Sequence, residues 1–533
     1  MQAAIEAHSV SQRTRAGEPA VRDISLTVGR GELVGITGTS GSGQTMLLDA
    51  MSGLRPPLSG TVIRYPAGDP GSGGYVPADS GAYPALPLER ALRYTAALRS
   101  VPGGERAVPD ALATAGLTGR AAVPGGELSA GERKRAAVAA ELLACPAQLF
   151  LEEPTAGLDP GEAAEVLRLL RRLAGDGITV VLTTGSPLDA ARCDKVAVLA
   201  TGGHLAFFGT PAAAREYFGA DSLEEIYERL AGLSDPATAW SRRFYHFSPP
   251  RPGFAPVPVT SPRSGPRFLV PESAGPHSAG RVSVFPGDPR PTGLDRADPW
   301  PDRRPVRPGP VRPSPVRQLP VLSQRNAEVL RRSPAARLAV AAAPVAVLLA
   351  FAALIGAGAL NSPGAAAAWI VLGGLGTGLA YGLPPTRGEP GILRAERFAG
   401  LSAAAYLLAR LAVALPGLAV ADAIALLVPA AGGRLPDGYG PAYLTLLLAS
   451  AVALALALLL SAVTAVRGRR APVSPALWLP AVLLAGAALT LLDHPSGVDW
   501  LSLAALAVVF AAAAAVFVGR LPAGRPERTE PIP

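Results

Sequence analysis

The 533-residue sequence predicts an α/β domain built on a phosphate-binding loop, followed by an all-α domain of six membrane-crossing helices. Three observations carry this. Residues 38–45 read GTSGSGQT directly after the apolar run ELVGIT, the strand, glycine loop and helix order that a phosphate cradle requires. Apolar residues make up 49% of the chain and collect after about residue 335, in runs near the ~20 residues that cross a hydrocarbon core. A Pro- and Arg-rich stretch separates the two halves.

The charge balance is +8, almost all from arginine, with Lys134 and Lys195 the two lysines. Basicity in a chain this rich in Ala, Arg, Gly and Pro follows from compositional bias. Neither a basic helix nor an aromatic-basic motif accompanies it, so no nucleic acid partner is expected. Cys145 and Cys193 both fall in the first half, which fits a reduced setting and excludes a disulfide framework. The first thirty residues lack an apolar core, so no cleaved signal peptide is expected.

In the first domain, about residues 1–233, Glu32 to Thr37 reads as a strand and Thr45 to Met51 as the opening of a helix. Gly38, Gly41 and Gly43 let backbone N–H groups curl around an anion, helped by the positive end of the helix. Thr45 supplies a hydroxyl for Mg²⁺. Three further motifs follow in order. LSAGERKR at 128–135 offers Ser129, Gly131 and Glu132 at a helix start. QLFLEEPTAGLDP at 148–160 is a buried strand ending in Glu152 and Glu153, then a turn and Asp159. VVLTTGSP at 180–187 is a strand with a polar end.

Together these motifs resemble the ATP-binding cassette of ABC transporters, with LSAGE similar to that family's signature and EEPTAGLD to its Walker B and D-loop. The resemblance implies ATP and Mg²⁺ as cofactors, Glu153 in the general-base position, and Thr45 with Glu152 at the metal. It also exposes departures. The loop lysine of the family is Gln44 here, the Walker B aspartate is Glu152, the Q-loop glutamine falls at Ala78 and the switch histidine at Gly185. No aromatic lies near Ser11–Arg13 to stack on adenine. Each lost charged donor to a transferring phosphoryl group removes about 3–4 kcal/mol of stabilisation, so weak or absent intrinsic ATPase is expected. In the family two cassettes pair head to tail, each lending its signature to the other's nucleotide. What survives here, Ser129, Gly131 and Glu132, is what is lent. A heterodimer with an intact second half-transporter subunit is therefore favoured over a homodimer, and an active ATPase tolerating these residues is the opposing reading.

Residues 234–322, including SPPRPGFAPVPVTSPRSGP and DPWPDRRPVRPGPVRPSPVRQLP, read as a disordered or polyproline linker acting as a spacer, or as a docking segment. AWSRRFYHFSPP before it resembles the post-cassette segment of half-transporters.

In the third region, 323–533, six spans are read at about 338–360, 365–383, 402–430, 441–465, 475–492 and 500–518. Arg331, Arg332 and Arg337 precede the first; Arg387, Arg394 and Arg397 follow the second; Arg467, Arg469 and Arg470 follow the fourth; Arg520 follows the sixth. The opposite loops hold Arg434, so both termini are expected in the cytoplasm of a multi-pass cell-membrane protein, with lipid as neighbour. RGEPGILRAERFAGLSAAAYLLARL resembles the coupling helix of G-subfamily (White-type) half-transporters with an ABC-2-type membrane domain. The resemblance implies export, and implies that Glu396, Arg397 and Leu401 press on the cassette. The family's long outer loop before the last span is reduced here to DHPSGVD. Arg410 reads as a snorkelling charge, and Asp422 as a helix-pairing or substrate-path residue. The alternative function is a non-transporting pseudo-ATPase that scaffolds or regulates a membrane complex.

Overall fold

A computed structural model of the chain describes residues 2–13, 19–65, 73–79, 81–101, 103–231, 240–244, 314–357, 363–382, 389–433, 435, 438–467 and 497–519. The first domain has two sheets. Strands β1 (Ala3–Arg13), β2 (Pro19–Gly29) and β4 (Ser59–Arg64) form an antiparallel sheet in the order β2-β1-β4. The remaining strands are β3 (Leu33–Gly38), β5 (Gly73–Val76), β6 (Gln148–Leu151), β7 (Thr179–Thr183), β8 (Lys195–Ala200) and β9 (His204–Gly209). They form a second sheet in the order β5-β6-β7-β3-β8-β9, parallel except for β9. Strands β3, β6 and β7 are buried at every position, as continuous apolar runs in a sheet covered on both faces must be.

Among the described residues, these helices surround the sheets: α1 (Gln44–Ser52), α2 (Leu88–Leu98), α3 (Gly104–Thr114), α4 (Ala130–Leu142), α5 (Pro160–Gly175), α6 (Pro187–Ala190), α7 (Pro211–Phe218) and α8 (Leu223–Ala231). Because β3, β5, β6 and β7 are parallel, their carboxyl ends share one edge. The loop at 38–43, Ala78, the Glu152–Glu153 pair and Gly185 therefore meet there, where open α/β sheets place their ligands. After α8, the short helical turn at 240–244 returns to the domain. Trp240 packs on Tyr217 and Phe218 with ring centroids 5.5 and 4.9 Å apart, and the Arg243 guanidinium lies over Tyr217 and Trp240.

The third region begins earlier than its composition indicates. Residues 315–322, expected within the linker, are the first turns of α9 (Pro315–Arg332). Their proline and arginine content hides a helical spacing: Gln318, Leu322 and Arg325 are buried on one face. The rest of the expected linker, 234–314, falls almost wholly outside the described residues. Ser333 ends α9 and caps α10 (Pro334–Gly356), its hydroxyl accepting from the Ala336 N–H at 3.2 Å. Then come α11 (Pro363–Gly382), α12 (Glu389–Phe398), α13 (Ala403–Ala425), α14 (Leu427–Ala431), α15 (Tyr439–Arg467) and α16 (Gly497–Gly519).

Among the described residues, Pro334–Gly356, Ala403–Ala431 and Tyr439–Leu459 are long and apolar enough to cross a membrane, with shorter apolar stretches at Trp369–Gly382 and Leu503–Ala514. The expected third span is two helices, α13 and α14, meeting at Leu426. Arg337, expected before the first span, is in the first turn of α10. The expected fifth span, 475–492, lies outside the described residues. Gly374, Gly378 and Gly382 put the backbone of α11 against α15: a Cβ on Gly374 would lie 2.8 Å from the Leu446 carbonyl, and one on Gly378 would meet that of Ser450. Small residues at this spacing let helices approach closely without a hydrophobic driving force between them.

Candidate functional site

The chemistry-bearing residues gather at two places, the phosphate loop and the junction between the domains. The loop runs from Gly38 to Gly43, with Gly38, Gly41 and Gly43 all at positive φ (148°, 81° and 93°). A side chain at Gly43 would strike the Ala20 carbonyl, so the close approach of β2 requires glycine there. Gln44 opens α1 and turns its amide back over the loop, donating to the Gly38 carbonyl at 2.8 Å. The Ser42 hydroxyl is buried and has no hydrogen-bond partner. Thr45 is half-buried one residue further on. Behind the loop the hydroxyls of Thr37 and Tyr227 pair, and Thr37 also donates to the Thr184 carbonyl at 2.9 Å. Tyr227 was not singled out from the sequence; α8 delivers it from the far end of the domain.

At the end of β6, Glu152 accepts from the Ala78 N–H at 3.3 Å. Glu153 has φ 44°, a left-handed conformation for a residue with a side chain. This turn aims its carboxylate at the Gly185 N–H, 3.4 Å away, while its own N–H donates to Thr183 Oγ1 at 3.1 Å. Burial pushes the Glu153 carboxyl above the ordinary range, the Gly185 N–H pulling the other way and Glu152 adding to the rise. A Cβ on Gly185 would come no closer to the protein than 3.9 Å, at Glu153 Oε1, so the position has space for a larger side chain.

Lys134 is a further residue that motif reading missed. It projects from α4 to the Ala78 carbonyl and lies 3.4 Å from that of Glu153. Burial lowers its pKa, against the charges of Asp79, Glu152 and Glu153. It ties the signature helix to the two loops that flank the nucleotide edge.

The signature segment is set apart from this edge. Ser129 caps α4, accepting from the Glu132 N–H at 3.1 Å, and Glu132 accepts from the Ser129 N–H at 2.9 Å, a complete capping box. Arg120 adds a bond to Glu132 at 2.7 Å, and the Glu132 carboxyl is lowered chiefly by the Ser129 N–H. A Cβ on Gly131 would sit 2.9 Å from that of Glu162, so α4 packs closely on α5. Asp159 caps α5, accepting from the N–H groups of Gly161 and Glu162 at 2.8 and 2.9 Å.

At the junction, α12 lies across the segment after β5. Arg394 pairs with Asp79 at 2.5 Å, and Gly391 packs on the Asp79 backbone. Phe398 enters the core of the first domain, its ring 5.5 Å from that of Tyr75. The Tyr75 hydroxyl donates to Asp49 of α1 at 3.2 Å, linking the phosphate-loop helix to α12. Asp49 is 4% exposed, and burial raises its pKa to about 6, with Arg55 opposing and Glu152 adding. Arg325 of α9 is fully buried: it pairs with Glu396 of α12 at 2.5 Å and lies 4.6 Å over the Tyr83 ring, whose hydroxyl donates to the same Glu396 oxygen at 3.2 Å. Nearer solvent, Glu328 accepts from Arg90 at 2.8 Å and from Tyr94 at 2.6 Å.

Of the three junction residues read from the sequence, Glu396 makes the expected contact with the first domain. Arg397 donates to the Leu401 carbonyl at 2.5 Å, at the end of its own helix. Leu401 joins a cluster with Leu322, Ala405 and Tyr406 that also takes in Leu98 from α2.

Residues 21–156 match the family model described as ABC transporter, and residues 317–517 match the one described as ABC-2 type transporter. The chain belongs to the ABC transporter family. It carries an ATP-binding cassette fused ahead of an ABC-2 membrane domain and is G-family-like in that order. It is 34% identical to the ABC transporter ATP-binding/permease protein Rv1747 of Mycobacterium tuberculosis over 45% of this chain and 28% of that protein. It is 36% identical to ABC transporter G family member 21 of Arabidopsis thaliana over 39% of this chain and 34% of that one. The chain thus spans about a third of the length of the curated relatives it matches. Among solved structures, cbiO1 from Clostridium perfringens, described as part of an ABC transporter complex, aligns at 25% identity and TM-score 0.38, over 43% of this chain and 96% of that one.

Proposed function

We propose that this chain is half of an ABC exporter whose own phosphate loop holds nucleotide but hydrolyses it poorly, and which lends its signature segment to an active partner cassette. The observation that carries the reading is where the charge lies. Gln44, Ala78 and Gly185 leave no charged side chain at the three positions where the family has a lysine, a glutamine and a histidine acting on phosphate and metal. Gln44 spends its amide on the Gly38 carbonyl. The two lysines are committed elsewhere, Lys134 to backbone carbonyls and Lys195 to Glu32 at 2.7 Å.

The residues present still fit a nucleotide. The loop backbone and the start of α1 suit a phosphate, the orphaned Ser42 hydroxyl has a bond to give, and Thr45 with Glu152 supply the oxygen donors that Mg²⁺ takes. When bound, Mg-ATP supplies a phosphoryl group for transfer to water. On this reading Glu153 accepts that water's proton, and burial, which raises its carboxyl above the ordinary range, favours that role. Without charged donors beside it, the developing charge on phosphate goes largely unanswered, which costs orders of magnitude in rate.

Ser129 and Gly131, held in position by the capping box, are the groups offered across a head-to-tail pair. Closure of that pair moves α4, and Lys134 carries the motion to the segment on which α12 rests. The packing of α9 and α12 on the cassette puts the starts of α10 and α13 on the cassette side. With the arginines at those ends, this supports cytoplasmic termini in a cell-membrane protein.

The test is Mg-ATP turnover by the full chain in lipid nanodiscs, alone and with whatever cassette subunit co-purifies from the native membrane. Turnover alone is expected far below that of the pair, and Ser129→Arg in this chain is expected to suppress the pair. Brisk turnover by the homogeneous chain overturns the reading.

A further inference from the structure

Asp422 belongs to none of the above. It lies inside α13, is fully buried, and faces Thr377 of α11 and Ser450 of α15, also fully buried. Thr377 Oγ1 lies 3.0 Å from Asp422 Oδ1, 3.0 Å from Ser450 Oγ and 3.0 Å from the Gly374 carbonyl, and Ser450 Oγ lies 2.9 Å from the Leu446 carbonyl. These four contacts have only two hydroxyl hydrogens to share among them. Asp422 Oδ2 is buried without any hydrogen-bond partner. A carboxylate with an open oxygen and, among the described residues, no cation beside it, in a membrane helix, is an arrangement that neither hydrogen-bond bookkeeping nor solvation supports.

One added hydrogen raises the contacts supplied from two to three of the four. On Asp422 Oδ1 it is donated to Thr377, Thr377 donates to Ser450 or to Gly374, and Ser450 donates to the Leu446 carbonyl, while Oδ2 becomes the carbonyl oxygen of a neutral acid, whose burial costs far less than that of a carboxylate. A metal ion fits less well. It needs about six oxygens around a space of its own, and the close backbone contact of Gly374 and Gly378 with α15 closes that space.

We propose that Asp422 is a proton-binding site of the membrane domain, taking one hydrogen ion from water when α11, α13 and α15 are packed together and returning it to water when they part. The titratable groups facing it are Tyr381 of α11 and Tyr443 of α15, whose hydroxyls are bonded to backbone carbonyls of α13 at Gly417 and Ala419. On α13 itself Arg410 lies three turns away, over the Tyr406 ring. The inference stands on the membrane domain alone and is independent of whether the cassette hydrolyses ATP.

The test is infrared spectroscopy and thermal unfolding of the full chain in nanodiscs from pH 5 to 10. At neutral pH the wild type is expected to show a protonated-carboxyl band that shifts on deuterium exchange and is missing in Asp422→Asn. The wild-type melting temperature is expected to fall as alkali removes the hydrogen, and that of Asp422→Asn, which keeps a donor and an acceptor, to fall less. If Asp422→Asn does not fold, Thr377→Val with Ser450→Ala is expected to move the same band by removing its acceptor. A spectrum unchanged in both variants overturns the proposal. So does a wild-type melting temperature raised by sodium over choline chloride and lost in Asp422→Asn, which would make the ligand a metal ion.

Discussion

The phosphate loop follows β3 and the junction begins after β5, with β6 and β7 between them on the same edge of one sheet, yet they hold charge in opposite ways. At the loop the backbone is complete and the side chains are neutral: Gln44, Ala78 and Gly185 stand around glycines of the required geometry. At the junction the side chains do the holding, with Arg325 on Glu396, Arg394 on Asp79 and Arg90 on Glu328. Under the function proposed above, a cassette equipped in this way follows a partner's closure and passes it to the membrane domain.

The contrast can be broken most severely at the buried pair. Arg325→Met leaves Glu396 uncompensated and is expected to cost about 3–5 kcal/mol in unfolding of the full chain, with Arg325→Met/Glu396→Gln regaining most of it. A loss below about 1 kcal/mol would mean the junction is not held by this pair. The loop side is sharpened by restoring charge. Gln44→Lys with Gly185→His is expected to raise Mg-ATP turnover of the chain alone by about 10²-fold or more, read by phosphate release. No change would place the defect elsewhere than in these two side chains.

Asp49 joins the two regions and gives a pH signature. Its folded-state pKa is raised from 3.8 to about 6, so the stability tied to its neutral form is intact below pH 3.8 and lost as pH rises through about 6. Asp49→Asn is therefore expected to be more stable than wild type by about 2–3 kcal/mol at pH 8 and equal to it near pH 3.5, in thermal melts of the full chain. The smallest effect is at Glu328. Its pKa is held down to about 2, first by the Arg90 bond, so its contribution is present above pH 4.5 and lost as pH falls toward 2. At this solvent-facing pair Glu328→Gln is expected to cost only about 0.5–1 kcal/mol at pH 7.

Much of the cassette was legible because its signals are local. The β3–loop–α1 unit lies within one residue of its expected bounds, β6 matches Gln148–Leu151, and the Ser129–Glu132 capping box is written in four consecutive letters. The junction was legible only in part. Glu396 could be picked from its motif, but its partners come from Tyr83 and Arg325, at sequence separations of 313 and 71 that no local pattern spans. The start of α9 was obscured because Pro and Arg dominate its composition while three buried residues set its face. Lys134 reads as one more charge in a basic run, and only the fold turns it inward.

Phe398 carries a consequence for how the chain is made. Its ring completes the core of the cassette against Tyr75, yet the ribosome releases it only after the whole cassette, the Pro-rich segment and the first two apolar helices have emerged. Until then the apolar surface that receives this ring lacks its cover, so the cassette core is complete only once that later stretch of chain has been made.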